Sequence, residues 1–308
     1  VPTSDATGYS ARILNAGTIE NKGIEVLFRA TPIKTKNFNW NLSVNWARNR
    51  SEVVELTDGV ENLQLASLQG GVSINAAPGQ PYGAIRGSDY VYNENGQKIV
   101  GSNGYYLTSD TNNEIIGNIQ PDWIGGVQNS FTYKNVSLSF LIDVQQGGDI
   151  FSLDTWYGFA TGLYDRTVGT NDLGNPLRAP VTSGPDSGGR ILPGVTEDGA
   201  PNTTRASFNT YANPYGYARD ANKGHIYDAS FVKLREVSLR YDFSKKILEN
   251  TFLSSASVSV IGRNLWIIHK NIPYSDPEAG LSSGNIQGYQ SGAYPSFREI
   301  GASLRLKF

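Results

Sequence analysis

The sequence predicts an all-β chain built as an antiparallel, membrane-spanning β-barrel. Three observations carry that prediction: strict period-2 alternation, connections sorted by length, and aromatic residues gathered at strand ends. Apolar residues make up 39% of the 308 positions. At that content a perfect nine-residue alternation arises by chance at about one start in 800, or about 0.4 times in such a chain. Two occur. Phe38, Trp40, Leu42, Val44 and Trp46 alternate with Asn39, Asn41, Ser43 and Asn45; Ile300, Ala302, Leu304, Leu306 and Phe308 alternate with Gly301, Ser303, Arg305 and Lys307. Residues 136–144 break step only at Leu141, and Val237, Leu239, Tyr241 and Phe243 alternate with Glu236, Ser238, Arg240 and Asp242. That period sends apolar and polar residues to opposite faces of a strand.

In chain order, strands are expected near 23–31, 37–50, 122–133, 136–146, 230–243, 255–268 and 296–308. A further hairpin is expected within 80–107, turning at Asn93-Glu94-Asn95-Gly96, since Asn-Gly suits a tight turn. No segment of useful length carries a helical period. Connections at 32–36, 134–135 and 244–254 are short, and those at 51–79, 147–229 and 269–295 are long. The two classes alternate, so every short turn falls at one end of the sheet. Bacterial outer-membrane barrels have this layout, with short periplasmic turns and long extracellular loops; a sandwich has no reason to sort its loops so.

Phe38, Trp40, Phe131, Tyr133, Tyr241 and Phe243 sit beside the short turns and in phase with the apolar face; Trp46, Trp123 and Trp266 sit toward the other strand ends. Two such rows match the interfacial girdles of membrane barrels, the plainer alternative being core aromatics. On this reading Trp40, Leu42, Val44, Leu138, Phe140, Ile142, Leu304 and Leu306 face lipid. Asn41, Ser43, Ser139 and Arg305 face the lumen. Polar residues on one face would suit a soluble sheet equally.

Composition narrows the chemistry. With 26 basic and 28 acidic residues there is no basic field for nucleic acid. No apolar run approaches the roughly 18 residues of a spanning helix. Cys is absent, which excludes disulfides and thiolate sites; Met is absent too, for no physical reason the sequence reveals. His225 and His269 are the only histidines and do not suggest a metal site, and Asp110–Glu114 lacks the spacing of a calcium loop. No nucleophile elbow or phosphate loop occurs. The chain is therefore expected to be neither an enzyme nor a holder of cofactors or metals. The opening Val1-Pro2-Thr3-Ser4 carries no secretion leader, which is read as a start within a longer protein.

Several stretches resemble the SusC/RagA family of TonB-dependent outer-membrane transporters of Bacteroidetes. Residues 15–25, Asn-Ala-Gly-Thr-Ile-Glu-Asn-Lys-Gly-Ile-Glu, look like the family's strand-opening motif. Residues 231–241 resemble its F-x-[KR]-L-R-x-[IV]-x-L-x-Y pattern. Gly262-Arg263-Asn264-Leu265, Asp276-Pro277-Glu278 and Tyr294-Pro295 follow in the family's order, and 194–199 resemble a common loop motif. The resemblance implies a nutrient importer of the outer membrane, its 22-stranded type of barrel closed by an N-terminal plug. It also implies TonB as a partner through that plug, a SusD-like surface lipoprotein as lid, and glycans or peptides as cargo. Phe308 would then serve recognition by the barrel-assembly machinery. This sequence has no plug, so residues 1–308 are expected to supply seven to nine strands of the C-terminal barrel, about a third of the whole.

The long loop 147–229, expected on the extracellular side, carries the candidate substrate contacts Trp156, Tyr157, Tyr164, Asp165 and Arg166. Aromatic faces stack on sugar C–H surfaces, and Asp and Arg bind hydroxyls. The bland alternative is that most of these rings pack the loop on itself or on a lid, because so long a loop needs its own small core. Two rival functions stay open: a small self-closed porin or adhesin, and a soluble carbohydrate-binding β-sandwich.

Overall fold

The computed structural model describes residues 6, 8, 17–281, 284 and 287–308; Asn15 and Ala16 of the strand-opening motif lie outside the described residues. In chain order the strands are β1 (Gly17–Lys34), β2 (Phe38–Leu56), β3 (Leu63–Leu68), β4 (Val72–Ala76), β5 (Ala84–Gly87), β6 (Glu114–Asn118), β7 (Trp123–Tyr133), β8 (Val136–Gln146) and β9 (Asp149–Ser152). After helix α1 (Leu153–Ala160) come β10 (Arg190–Ile191), β11 (Arg205–Ala206), β12 (Ile226–Asp228) and β13 (Phe231–Asp242). A single helical turn α2 (Lys245–Leu248) precedes β14 (Ser255–Lys270), β15 (Tyr289–Gln290) and β16 (Glu299–Lys307).

Seven long strands form one antiparallel wall in the order β1-β2-β7-β8-β13-β14-β16, each within a few residues of its expected range. The register stacks side chains into rows. Phe38, Tyr133, Val136, Tyr241, Val258 and Leu304 align beside the short turns. The next row on the same face is Trp40, Phe131, Leu138, Leu239, Val260 and Ala302. Their rings interlock: Phe131 lies 5.7 Å from Trp40 and 6.1 Å from Phe140, centroid to centroid. Asn129, a polar residue on this apolar face, accepts the Trp40 indole N–H at 3.0 Å. Ser43, Gln128, Leu141 and Glu236 share a row on the opposite face. Leu141 broke the alternation because it stands on the polar face in step with its neighbours.

No second sheet covers the apolar face among the described residues; Val26, Phe28, Leu138, Leu239, Val260 and Leu304 are exposed. That disposes of the sandwich, which would bury them. The wall is also open. β1 and β16 are its two edges and do not pair with each other, so the small self-closed barrel fails as well.

The short connections, 35–37, 134–135 and 243–254, all join neighbouring strands at one end. At 134–135 Lys134 takes the left-handed conformation that so tight a turn demands, with φ of 51°. The three long connections converge at the other end into one lobe. Its largest core packs Val72, Ile74, Ile85 and Ile116 from the first against Phe151, Leu153 and Trp156 from the second and Tyr289 from the third. The 80–107 hairpin turns where expected, Gly96 N–H bonding Asn93 at 3.0 Å, but it belongs to this lobe and not to the wall. α1 departs from the helix-free expectation. Its eight residues are too few to show a period; Ser152 caps them, its hydroxyl accepting from Thr155 N–H at 3.2 Å.

Candidate functional site

The lobe separates the five candidate contacts. Trp156, on the buried side of α1, is 8% exposed and packs in the main core 5.0 Å from the His225 ring, so its faces meet protein. Tyr157, next along the helix, points outward. It is 5.3 Å from Tyr217 and accepts from Gln69 Nε2 at 2.9 Å. Tyr164, Asp165 and Arg166 come together, in the short helical turn that follows α1 and at its margin.

Asp165 and Arg166 line an open cleft of about 480 Å³ with Phe159, Val168, Arg190, Tyr227, Pro273 and Tyr274. Tyr164 supports one wall, stacked on Tyr274 at 4.0 Å and 7°. The Tyr274 hydroxyl donates to Asp165, which pins that carboxylate and raises the phenol to about 12. The Arg166 guanidinium lies over the Tyr215 ring, 3.8 Å from its centre. Arg190 and Tyr274 were not singled out from the sequence: Tyr274 stands 109 positions from Asp165, and no local pattern links them.

Behind Arg166 is a buried polar group. Tyr90 hydroxyl donates to Asp220 Oδ1 at 2.6 Å, and Asp220 Oδ2 is 3.5 Å from His225 Nε2. Burial raises Asp220 to about 6 despite the Tyr90 bond and the positive charges of Arg166 and Lys98. Burial, and then repulsion from Arg166, lowers His225 to about 3. Thr155 hydroxyl donates to Ser152 carbonyl, so at 3.0 Å from His225 Nδ1 it accepts the ring N–H. The His225 Nε2 lone pair then faces Asp220 Oδ2 and has no hydrogen-bond partner among the described residues. His269 lies apart, exposed in β14. Among the described residues no three His or acidic side chains gather as a metal site would need.

A second cluster fastens the lobe to the wall. Lys233 is 2% exposed, and its Nζ bonds Asp276 and Glu278 at 2.5 Å each. Arg235 grips Glu278 through both terminal nitrogens at 2.6 and 2.7 Å, and Asp143 at 2.6 Å. A register shift between Leu234 and Glu236 lets Arg235 join its neighbours on the polar face. Asn264, with φ of 49°, accepts weakly from Arg235 at 3.4 Å, and Ser296 hydroxyl donates to Asp276 Oδ2 at 2.5 Å. Burial alone would raise Asp276; Lys233 and Ser296 outweigh it and hold the carboxyl below its usual range. The motifs at 231–241, 262–265, 276–278 and beside 294–295 thus meet at one joint.

The interfacial aromatics divide. Phe131, Tyr133 and Tyr241, with Trp40, form the interlocked rows beside the short turns, and Phe243 rings edge-on to Tyr241 at 5.2 Å. Trp46 and Trp123 flank Gly125, where an added Cβ would meet them at 3.7 and 3.5 Å. Trp266 pairs with Leu234 in the Val44 row, one step nearer the short turns than Trp46. Phe308 stacks on Phe252 at 5.5 Å and stays exposed.

No protein-family profile matches the chain. A TonB-dependent receptor of Formosa agariphila is 25% identical across the whole chain, which spans 30% of that protein's length. The TonB-dependent receptor SusC of Bacteroides thetaiotaomicron is 32% identical over 44% of the chain and 15% of its own length. The solved structure of the RagAB peptide transporter superposes on the whole chain with a TM-score of 0.66 at 20% identity, using 31% of its own chain. The likeness to SusC/RagA-type TonB-dependent receptors therefore runs the full length of this chain, which matches about a third of theirs.

Proposed function

We propose that this chain is the C-terminal barrel portion of an outer-membrane nutrient importer of the SusC type, working with a SusD-like lipoprotein lid and drawing energy from TonB through a plug. Its cargo would be glycans or peptides; the RagAB complex is a peptide transporter by name. The observation that carries this reading is the wall itself. One face is an uncovered apolar surface and the other carries Asn, Ser, Asp, Lys and Arg, while both edges lack partners among the described residues. In a bilayer, unpaired edge groups cost several kcal/mol each, so such a sheet must be completed by further strands.

On this reading the lobe, including 147–229, is extracellular and the turns at 35–37, 134–135 and 243–254 are periplasmic. The chain has no cysteine of its own, so single introduced cysteines give a clean test. An impermeant thiol reagent on intact cells should label Asp186→Cys and spare Lys134→Cys. Labelling at residue 134 with none at 186 would refute the orientation.

A further inference from the structure

We propose that the cleft between Arg166 and Arg190 is a subsite for a carboxylate on the cargo. It rests on reading the lobe as the side that meets cargo. Both arginines line the cleft, and their guanidinium groups lie over rings: Arg166 over Tyr215 at 3.8 Å, Arg190 over Phe208 at 6.0 Å. Neither pairs with a carboxylate among the described residues. Two other arginines of the lobe are held by polar partners: Arg205 binds Asp172 through both terminal nitrogens at 2.7 and 2.6 Å, and Arg178 binds the Thr167 and Gly162 carbonyls.

The acids nearby do not neutralise the pair. Asp165 lines the cleft as a single negative charge bound by the Tyr274 hydroxyl, and Asp220 is buried behind Arg166, bound by Tyr90. Two cations against one cleft carboxylate leave the cleft positive. Tyr227 also lines the cleft. A carboxylate has two oxygens, enough for both guanidinium groups together. At about 480 Å³ the space exceeds what a small ion fills and falls in the range of organic-ligand sites. The stacked Tyr164–Tyr274 pair and Phe159 supply apolar surface for the body of the ligand.

The carboxylate could belong to an acidic peptide or to a uronic-acid oligosaccharide, which share this chemistry. The test is calorimetric titration of the full-length importer in detergent with an aspartate-containing hexapeptide and with a tetrauronate. Each is compared with its neutral amide or methyl-ester counterpart. At least one charged probe should bind, its neutral counterpart about tenfold or more weaker, as expected for loss of a charge-assisted bond. Arg190→Gln and Arg166→Gln should each weaken the charged probe by about tenfold and leave the neutral one unchanged. Arg190 has only a distant ring contact to lose, so that variant stays informative if Arg166→Gln misfolds. Whichever charged probe shows this dependence names the source. Binding of neither, or binding that ignores the charge or both arginines, overturns the subsite. Recovery of the wild-type protein in the outer-membrane fraction is scored separately and reports on the importer reading alone.

Discussion

The wall and the lobe are built from one chain but are stabilised by different surroundings. Of the largest fully buried side chains only Val53 lies in a wall strand, and it sits at the lobe end, bonded by backbone to Gln80. Phe151, Phe159, Ile74, Ile85, Ile116, Leu177 and Leu192 all belong to the lobe. The wall instead satisfies its backbone by long ladders and leaves its apolar side chains outward, uncovered by any second sheet among the described residues. The lobe has short strands and many turns, and it holds together as a soluble protein does, by an enclosed apolar core. The difference teaches that apolar content alone does not locate a core: the same Phe or Val is buried by protein at one end and left uncovered at the other.

The largest effect is expected where the two regions join. Lys233→Ala would strand Asp276 and part of Glu278 without their buried counter-charge and should cost about 3–5 kcal/mol. Thermal unfolding of the purified protein measures it, and an unchanged midpoint would show that the lobe does not depend on the joint. Within the lobe, Phe151→Ala removes a ring stacked on Tyr289 at 5.6 Å and should cost about 3–5 kcal/mol. The same change at Phe140, on the outer face, should cost less than half of that, because lipid chains fill the space. Equal costs would mean that the outer face is a protein core after all.

Charge probes the wall directly. Val44→Arg should cost about 2–4 kcal/mol in a bilayer-refolding assay, and Ser43→Arg, one residue along on the polar face, much less. A reversed order would turn the barrel inside out. The lobe should respond to pH in a way the wall does not. Asp220, raised to about 6, stabilises the folded lobe at low pH, and that contribution is lost as pH rises through 6. His225, lowered to about 3, contributes stability at higher pH that is lost as pH falls through 3. Between about 4 and 6 the folded form holds its proton on Asp220 and the unfolded form on His225, so the two dependences cancel. His225→Gln should therefore make the lobe less stable as pH rises through that window. Asp220→Asn should make it more stable, each by up to about 1.4 kcal/mol per pH unit. Hydrogen exchange of lobe amides at several pH values follows both; parallel slopes in the two variants would disprove the opposed titrations. The smallest effect belongs to the exposed pair of Arg263 and Glu236, 3.0 Å apart. Arg263→Gln should shift stability by less than about 1 kcal/mol, and a loss as large as that at Lys233 would mean this face is dry.

All seven wall strands were legible because a strand's period is local: Phe38 to Trp46 declare their faces without reference to any partner. The sorted connections followed from the same pattern, and the open edges from the family resemblance, which made this chain a part of a larger barrel. Trp156 was misleading for the opposite reason. Its tryptophan in a polar, irregular stretch suggests an exposed platform, and only the convergence of Val72, Phe151 and Tyr289 around it decides that it is core.

By itself, then, the sequence determined the two faces of each strand, the end of the sheet at which the loops gather, and the motifs at 231–241, 262–265 and 276–278. Pairing at short range and side-chain period dictate these. The tertiary structure alone decided that Lys233 and Arg235 meet Asp276 and Glu278. It alone placed Tyr274 beside Asp165 and the buried pair of Asp220 and His225 behind Arg166. Such contacts join residues that the chain separates by a whole loop. Their energies depend on burial and on the direction of individual polar atoms, neither of which exists until the loops have packed.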